Sequence, residues 1–318
     1  MKNILVTIPA KPEHKARLEA IAPDCAFTYT TIPAATEELI ASADVILGCV
    51  PADRIKASKR LALLQLNSAG ADPYIKPGVL AENTVLCNAT GAYSKTVSEH
   101  GLACMLMLMK NLQYYRDAQA RREWIDVPTV SSPVGTVVAV IGLGDIGCYF
   151  ASLVKALGSY VIGVKRRPGN KPACVDELYT TDELDKVLPR ADVIFSVLPG
   201  TAATTHIYTA ERFKAMKNSA IFINCGRGSA VSGEVLHEAL TKHEIAAAAV
   251  DVFETEPLPA ESPLWGVENL LLTPHVAGFY HLKDTLEGIV DIACENLSAY
   301  MNGGEYRNIV DFETGYKK

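Results

Sequence analysis

One segment, between residues 136 and 167, limits the possible folds of this chain more than any other. An apolar run, Val137–Ile141, is followed at once by a glycine turn, Gly142-Leu143-Gly144-Asp145-Ile146-Gly147. A stretch with helical spacing then leads to a second apolar run, Tyr160–Val164. Short continuous apolar runs are typical of strands buried on both faces of a parallel sheet. The segment therefore predicts a strand, a tight turn, a helix and a second strand.

Each of the three glycines of this turn has a separate physical role in a unit of this kind. Gly142 permits the tight turn, and Gly144 lets a pyrophosphate approach the backbone. Gly147 allows the helix to pack closely on the strand. Phosphates would bind the amides at the helix N-terminus, where the dipole favours negative charge. The turn predicts a dinucleotide site, with an ordinary glycine-rich turn as the alternative.

The residues that end the second strand indicate which dinucleotide is bound. An NAD site usually carries Asp or Glu about twenty residues beyond the glycines, where it binds the ribose 2′-hydroxyl. This chain carries Lys165, Arg166 and Arg167 there. A carboxylate would repel a 2′-phosphate, whereas these cations pair with it. The sequence therefore predicts that NADP(H) is preferred and NAD(H) possible, with a solvated basic loop as the alternative.

Strands and helices alternate along all 318 residues, which predicts an α/β fold with two parallel-sheet domains. We expect a Rossmann-like dinucleotide-binding domain at residues 99–281, inserted into a flavodoxin-like substrate domain of residues 1–98 with 282–318. One long, largely buried helix is predicted from Ser98 to about Arg121, and another over Gly278–Met301.

Charge, hydropathy and cysteine spacing exclude several classes of function. The net charge of -6 argues against a nucleic-acid partner. The most apolar helical run, Gly101–Met109, is too short to cross a bilayer, so we expect no membrane partner. No signal-peptide pattern precedes the first strand, so a cytoplasmic location is expected. The eight cysteines lack metal-binding spacing, and we expect no metal site.

Four polar loops, residues 67–70, 224–228, 251–257 and 273–278, follow predicted strands. In open α/β sheets, ligands bind along the carboxyl ends of the strands. With these loops and the Ser98-Glu99-His100 motif, the chain resembles the NAD(P)-dependent D-isomer-specific 2-hydroxyacid dehydrogenases over nearly its full length. The resemblance implies hydride transfer between a nicotinamide and a small 2-keto or 2-hydroxy acid.

The resemblance assigns the chemistry to Arg227, Glu256 and His275. Hydride addition to a ketone builds charge on its oxygen, and histidine is suited to supply the proton that this oxygen needs. Glu256 would orient the imidazole, and Arg227 would bind the carboxylate and carbonyl of the substrate. Each residue alone could be an ordinary surface or half-buried side chain. The assignment depends on all three following strands at one sheet edge.

The resemblance also implies contacts around these three residues. Cofactor contacts are expected at Asp145, Ile146, Leu198, Pro199, Thr204, Cys225, Gly226 and Asp251. Backbone N–H groups of Ser68, Ala69 and Gly70 are expected to bind the substrate carboxylate across the interdomain cleft. Substrate size is expected to depend on Val50, Pro51, Tyr93, Phe279 and Tyr280. A homodimer built by the long helix and the segment after it is also implied.

Three functions stay open at this point. The first is a reductase of a small 2-keto acid such as glyoxylate or hydroxypyruvate. The second is 3-phosphoglycerate dehydrogenase, which needs a second phosphate site, and Arg54, Lys56, Lys59 and Arg60 form the only cation cluster in residues 49–95. That cluster is more typical of a solvated helix face. The third is a dinucleotide-sensing corepressor, although the chain has no nuclear-targeting basic run or disordered tail.

Overall fold

The computed structural model describes residues 1–56 and 58–313, and it divides into two compact units. The first unit consists of Met1–Tyr93 together with the segment from Tyr280 onward, and the second unit is Ser94–Phe279. Each unit is built on one sheet in which every strand pair is parallel. The predicted α/β class with two parallel-sheet domains is therefore confirmed.

Residues 1–56 and 58–93 supply five short strands and three helices to the first unit. The strands are β1 (Asn3–Val6), β2 (Ala26–Tyr29), β3 (Val45–Leu47), β4 (Leu63–Gln65) and β5 (Val85–Cys87). The helices are α1 (Pro12–Ile21), α2 (Glu37–Ser42) and α3 (Ala52–Ile55). The strand order β2-β1-β3-β4-β5 reverses direction between β1 and β3. Ligands of such sheets bind beyond the carboxyl ends of the strands near that reversal.

The second unit has seven strands and six helices in the described chain. The strands are β6 (Val137–Ile141), β7 (Tyr160–Lys165), β8 (Glu177–Thr180), β9 (Val193–Ser196), β10 (Ile221–Asn224), β11 (Ala247–Val250) and β12 (Leu270–Leu272). The helices are α4 (Ser94–Met109), α5 (Leu112–Arg121), α6 (Asp145–Ala156), α7 (Leu184–Val187), α8 (Ala210–Ala215) and α9 (Gly233–Thr241). The order β12-β11-β10-β9-β6-β7-β8 reverses between β6 and β9, beside the glycine turn.

The position of strand β6 in the sheet explains why Val137–Ile141 is a continuous run of apolar residues. Ala139 and Ile141 belong to the core on one face of the sheet, and Val138 and Val140 to the core on the other. Successive side chains of a strand point to opposite faces, so a strand covered on both faces needs apolar residues throughout. A last helix, α10 (Lys283–Asn302), returns the chain to the first unit and packs against α1.

The prediction of one long helix from Ser98 was wrong. Helix α4 ends at Met109 and α5 begins at Leu112, because Asn111 between them adopts a left-handed backbone with φ 59°. Asparagine tolerates this conformation better than most residues, and its Nδ2 donates to the Thr129 carbonyl at 3.2 Å. Residues on both sides of the break are helical, so the pattern along the sequence did not reveal it.

Strands β2 and β8 were missing from the sequence-based prediction. Both lie at sheet edges, and all their residues except one exposed position in β2 are half-buried. A half-exposed edge strand has no continuous apolar run to reveal it. The final helix also begins at Lys283, later than the predicted Gly278. Within residues 1–56 and 58–313, no helix combines the length and apolar character that crossing a membrane requires.

Candidate active site

The glycine turn has the geometry that its three glycines predict. Gly142 has φ +106°, and a Cβ there would lie 2.9 Å from the Val197 carbonyl oxygen. A Cβ on Gly147 would lie 2.0 Å from the Gly142 oxygen, so the helix approaches the turn more closely than any side chain permits. Around Gly144 there is open space. The turn thus leaves room for a ligand at the position expected to face the pyrophosphate.

Helix α6 begins directly beyond this open space. Gly144 is its N-cap and has no side chain to accept from the first amides, while Asp145 and Ile146 form its first turn. The hydroxyl of Ser98 on α4 donates to the Ile146 carbonyl at 2.9 Å and links α6 to α4. Gly144 and Asp145 are exposed, so a phosphate can reach the helix N-terminus. These residues fit a dinucleotide pyrophosphate.

The predicted 2′-phosphate cations lie where β7 ends. Lys165 is the last residue of the strand, and its Nζ donates to the Asn170 carbonyl at 3.3 Å. Arg166 and Arg167 follow in an exposed turn. Since β7 is the neighbour of β6, the three cations lie one strand away from the glycine turn.

The loop after β9 carries three further predicted cofactor contacts, Leu198, Pro199 and Thr204. Leu198 is buried in the core beside the turn. Thr204 is also buried, and its Oγ1 donates to the Pro199 carbonyl at 2.5 Å and accepts from the Thr201 amide at 3.0 Å. The Thr204 hydroxyl therefore stabilises the conformation of its own loop.

His275 and Glu256 form a hydrogen-bonded pair. The imidazole Nδ1 lies 2.7 Å from the Glu256 Oε2, and the backbone amide of Phe253 donates to Oε1 of the same carboxylate at 2.9 Å. The side chains are 51% and 35% exposed. With Nδ1 engaged by the carboxylate, Nε2 is the ring nitrogen that can exchange a proton with a ligand. The structure therefore brings together two of the three predicted catalytic residues.

Buried Asp251 holds the loop that carries His275. Its Oδ1 accepts from the Thr273 hydroxyl at 2.6 Å and the Val276 amide at 2.9 Å, and its Oδ2 accepts from the Ala277 amide at 3.1 Å. The His275 amide donates to the Asp251 carbonyl at 2.8 Å. These bonds fix residues on both sides of His275, which has a left-handed φ of 53°. One lone pair of Oδ2 is left for the cofactor contact predicted at Asp251.

Two members of this network were not predicted, Thr273 and His100. Nε2 of His100, on α4, lies 3.1 Å from the Thr273 hydroxyl, which itself donates to Asp251. Both residues belong to motifs that carry the family resemblance, Ser98-Glu99-His100 and the 273–278 loop. Their roles require knowing that α4 packs against β10 and β11, which a single sequence does not reveal.

Arg227 follows β10 in a loop that also contains Gly226 and Gly228. Because these glycines have no side chain, the loop packs closely against two neighbouring loops. A Cβ on Gly226 would lie 2.5 Å from the Leu198 oxygen, and one on Gly228 would lie 1.9 Å from the Phe253 carbonyl carbon. The Arg227 loop is therefore in contact with the loop that carries Glu256. The Arg227 side chain is half-buried, and its Nη1 donates to the Gly226 carbonyl at 2.9 Å.

Cys225 precedes this pair of glycines. Burial raises the pKa of its thiol well above the usual range, so the thiol stays protonated. Its amide donates to the Ser196 carbonyl at 3.0 Å, which ties the loop to β9. The described residues contain no group of three or more His, Cys, Asp or Glu side chains that could hold a metal ion.

In the first unit, the Ser68-Ala69-Gly70 loop follows β4. Within the described chain, its carbonyl groups are hydrogen-bonded, whereas its amide groups are not. All three carbonyls accept hydrogen bonds, from the Ala89 amide at 2.9 Å, the Asn88 side chain at 2.8 Å and the Ser68 hydroxyl at 2.7 Å. None of the three amides donates to a residue in 1–56 or 58–313. Three adjacent free N–H groups are suited to bind a carboxylate.

Comparison with known proteins agrees with this geometry. Residues 102–277, more than half of the chain, match the model of the D-isomer specific 2-hydroxyacid dehydrogenase NAD binding domain. A glyoxylate/hydroxypyruvate reductase B of Escherichia fergusonii is 30% identical over 283 residues, which cover 86% of each chain. A D-3-phosphoglycerate dehydrogenase of Methanocaldococcus jannaschii is 29% identical over 98% of this chain, but this chain spans only 60% of that protein.

Among solved structures, this chain is similar to an NADPH-dependent glyoxylate/hydroxypyruvate reductase from Sinorhizobium meliloti, determined in complex with NADP and sulfate. The TM-score is 0.84 at 25% identity, and the match covers 99% of this chain and 100% of that one. The match to the family model and the 30% identity over most of both chains agree with the glycine turn and the His275–Glu256 pair. The chain therefore belongs to the family of D-isomer specific 2-hydroxyacid dehydrogenases.

Proposed function

We propose that this protein reduces a small 2-keto acid of the glyoxylate or hydroxypyruvate type and prefers NADPH as hydride donor. The observation that carries the proposal is the His275–Glu256 pair, held at 2.7 Å next to the Arg227 loop. A histidine with one nitrogen bonded to a carboxylate and the other available is suited to acid–base catalysis. The relative from Escherichia fergusonii, named a glyoxylate/hydroxypyruvate reductase, supports the substrate class.

The proposed roles follow from what each group can donate. The bound nicotinamide supplies the hydride. His275 gives a proton from Nε2 to the carbonyl oxygen of the substrate, and Glu256 holds the ring and stabilises its protonated form. Arg227 offers a planar cation to the carboxylate and carbonyl. The free amides of the Ser68-Ala69-Gly70 loop are proposed to bind the substrate carboxylate.

Preference for NADPH is supported by the three cations at the end of β7. Lys165 occupies the place where a carboxylate would bind the 2′-hydroxyl of NAD, and Arg166 and Arg167 follow it. Two charge-assisted hydrogen bonds, each worth about 1.5–3 kcal/mol, would favour NADPH by about two to four orders of magnitude before screening by salt. The similar Sinorhizobium meliloti reductase is described as NADPH-dependent.

The second candidate, 3-phosphoglycerate dehydrogenase, needs cations that bind the phosphate of its substrate. It is disfavoured because two cations of the cluster considered for this role are engaged by other groups of the protein. Nη1 of Arg54 donates to the Ala35 carbonyl at 2.8 Å and the Pro33 carbonyl at 3.3 Å. Arg60 forms an ion pair with Asp44 at 2.8 Å. Both guanidinium groups are thus engaged within the first unit, as expected for a structural surface.

We further propose a homodimer. Large apolar side chains are exposed along one stretch of the second unit, at Leu112, Trp124, Val130 and Val134. Several large exposed apolar side chains in one segment are typical of a surface covered by a partner. A second copy of this chain is the proposed partner, as the family resemblance implies.

A steady-state assay tests the function, with glyoxylate, hydroxypyruvate and 3-phosphohydroxypyruvate and with each cofactor. We expect turnover of the first two with NADPH and a lower kcat/KM with NADH. His275→Ala should lower kcat by about 100- to 10,000-fold and leave the Kd of NADPH nearly unchanged. Near-normal turnover in this variant would show that the proton donor is another residue. Binding of NADPH without turnover of any keto acid would instead favour the corepressor-like alternative.

The same assay tests the cofactor preference. Lys165→Asp combined with Arg166→Ala should reverse the preference, because it restores the carboxylate that binds a 2′-hydroxyl and removes cations that bind a phosphate. Rising salt should weaken NADPH binding more than NADH binding in the unaltered protein. Equal kcat/KM with both cofactors in the unaltered protein would contradict the preference.

A further inference from the structure

We infer that Tyr280, oriented by Asn67, recognises a hydroxyl group on carbon 3 of the substrate, so that this protein prefers a 3-hydroxy-2-keto acid to the same acid without the hydroxyl. This inference rests on the proposed function and assigns to Tyr280 a role in substrate choice. It is carried by a polar cluster in the first unit, the Asn67 cluster, which consists of Cys49, Asn67, Ser68, Tyr93 and Tyr280.

Asn67 is the centre of this cluster, and its amide orientation is determined by its neighbours. Its side chain is buried, and its Oδ1 accepts from the backbone amide of Cys49 at 2.7 Å. That bond leaves Nδ2, which can only donate, facing the Tyr280 hydroxyl. Tyr280 is therefore an acceptor toward Asn67. Its own proton is directed elsewhere.

The Tyr280 proton has no acceptor among residues 1–56 and 58–313. Tyr93 differs in this respect, because its hydroxyl donates to the Asn67 carbonyl. Burial raises the pKa of both phenols, so both stay protonated. The cluster thus holds two tyrosines in similar surroundings, one with its donor used and one with its donor free.

The free donor lies next to the proposed site of the substrate carboxylate. Asn67 directly precedes Ser68-Ala69-Gly70, and the thiol of Cys49 lies 3.5 Å from the Ser68 hydroxyl. In a three-carbon keto acid, the carbon 3 substituent is only three bonds from the carboxylate carbon. A carboxylate on these amides therefore places that substituent within reach of side chains around the same loop.

The chemistry of the cluster selects a neutral polar substituent. Its members are an amide, two phenols, an alcohol and a thiol, and none of them carries a positive charge. A phosphate on carbon 3 would find no cation in the cluster to pair with. A methyl group would leave the Tyr280 donor without an acceptor, and sites with an unpaired buried donor discriminate strongly against such analogues.

The test compares hydroxypyruvate with pyruvate, which differ only in this hydroxyl, using NADPH and the full chain. We expect the unaltered protein to have the higher kcat/KM with hydroxypyruvate. Tyr280→Phe should reduce the ratio of the two kcat/KM values about tenfold, which corresponds to about 1.4 kcal/mol. Tyr306→Phe is the control: it removes the hydroxyl of a half-buried tyrosine of the first unit that lies outside the Asn67 cluster, and the ratio should stay within about twofold of the unaltered protein's.

An unchanged ratio in Tyr280→Phe would overturn the inference while leaving the proposed function intact. The inference also fails if the unaltered protein prefers pyruvate, a result that needs no variant and so does not depend on whether Tyr280→Phe folds. If the unaltered protein reduces neither acid, nor glyoxylate, the proposed function itself fails. The three failures are distinguishable from one another.

Discussion

Gly144 and Gly147 lie three residues apart in one turn, yet an added methyl group would meet different surroundings at each. At Gly144 it would enter open space, whereas at Gly147 it would lie 2.0 Å from the Gly142 carbonyl oxygen. The first glycine therefore leaves room for a ligand, and the second leaves room for the protein's own backbone. Variants of the two residues separate cofactor binding from folding.

We expect Gly144→Ala to keep the melting temperature of the unaltered protein and to weaken NADPH binding, because its methyl group occupies the space proposed for the pyrophosphate. Gly147→Ala should lower both stability and binding, since overpacking typically costs about 1–3 kcal/mol. Thermal unfolding and a fluorescence titration with NADPH measure the two effects. A Gly144→Ala variant that binds NADPH normally would show that the pyrophosphate lies elsewhere.

Glu256 and Glu254 form a natural comparison on one loop, because each is bonded to a histidine at 2.7 Å. Glu256 pairs with His275, and Glu254 pairs with His206 and also accepts from the Gly233 amide at 2.9 Å. We expect Glu256→Gln to lower kcat about tenfold or more, because an amide cannot stabilise a protonated imidazole as a carboxylate does. Glu254→Gln is the control, and its kcat should stay near that of the unaltered protein. A larger kcat loss in the control would reverse the assignment.

At the scale of elements, the edge strand β8 shows how a strand without an apolar run is kept in place. Arg190 donates to both oxygens of Glu177, at 2.9 and 2.5 Å, and the hydroxyls of Tyr160 and Tyr179 donate at 2.8 and 2.7 Å. These donors, Arg190 above all, lower the pKa of Glu177 to about 2. Besides its pairing with β7, the strand is thus held by polar contacts that are strongest to the ionised carboxylate.

This arrangement predicts a pH-dependent contribution to stability. A carboxyl with a folded pKa of about 2 and an ordinary value of 4.5 stabilises the fold fully above pH 4.5, and the contribution is lost as the pH falls toward 2. Urea unfolding should therefore find Glu177→Gln less stable than the unaltered protein at pH 7, with the difference shrinking below pH 4.5. The exposed Glu268 serves as control, and Glu268→Gln should change stability little at either pH. A constant difference for Glu177→Gln at every pH would contradict the prediction.

At the scale of the whole molecule, the proposed homodimer predicts the mass of the protein in solution. Trp124 is fully exposed in the stretch after α5, and a large apolar side chain in water favours a covered state. Light scattering at micromolar concentration should give twice the mass of one chain. Trp124→Ser should shift the mass toward that of the monomer, whereas Trp265→Ser, at another exposed tryptophan, should not. A monomeric mass for the unaltered protein would rule out the dimer under these conditions.

By itself the sequence determined the α/β class, the strands of the second unit's sheet other than β8, and the family to which the chain belongs. These features depend on neighbours along the chain: apolar runs mark doubly covered strands, and glycine spacing marks the turn between β6 and α6. The helix break at Asn111 and the edge strands β2 and β8 escaped prediction, because each is decided by contacts with distant segments.

Only the tertiary structure decided which partner each polar group has. Asp251 supports the His275 loop, and Asn67 bonds to Tyr280, a residue 213 positions away in the chain. A hydrogen bond depends on distances of about 3 Å and on the orientation of donor and acceptor, and residue type alone specifies neither. The residues proposed for the reaction can therefore be chosen from the sequence, whereas their supports, and the free donor of Tyr280, become visible only once the chain is folded.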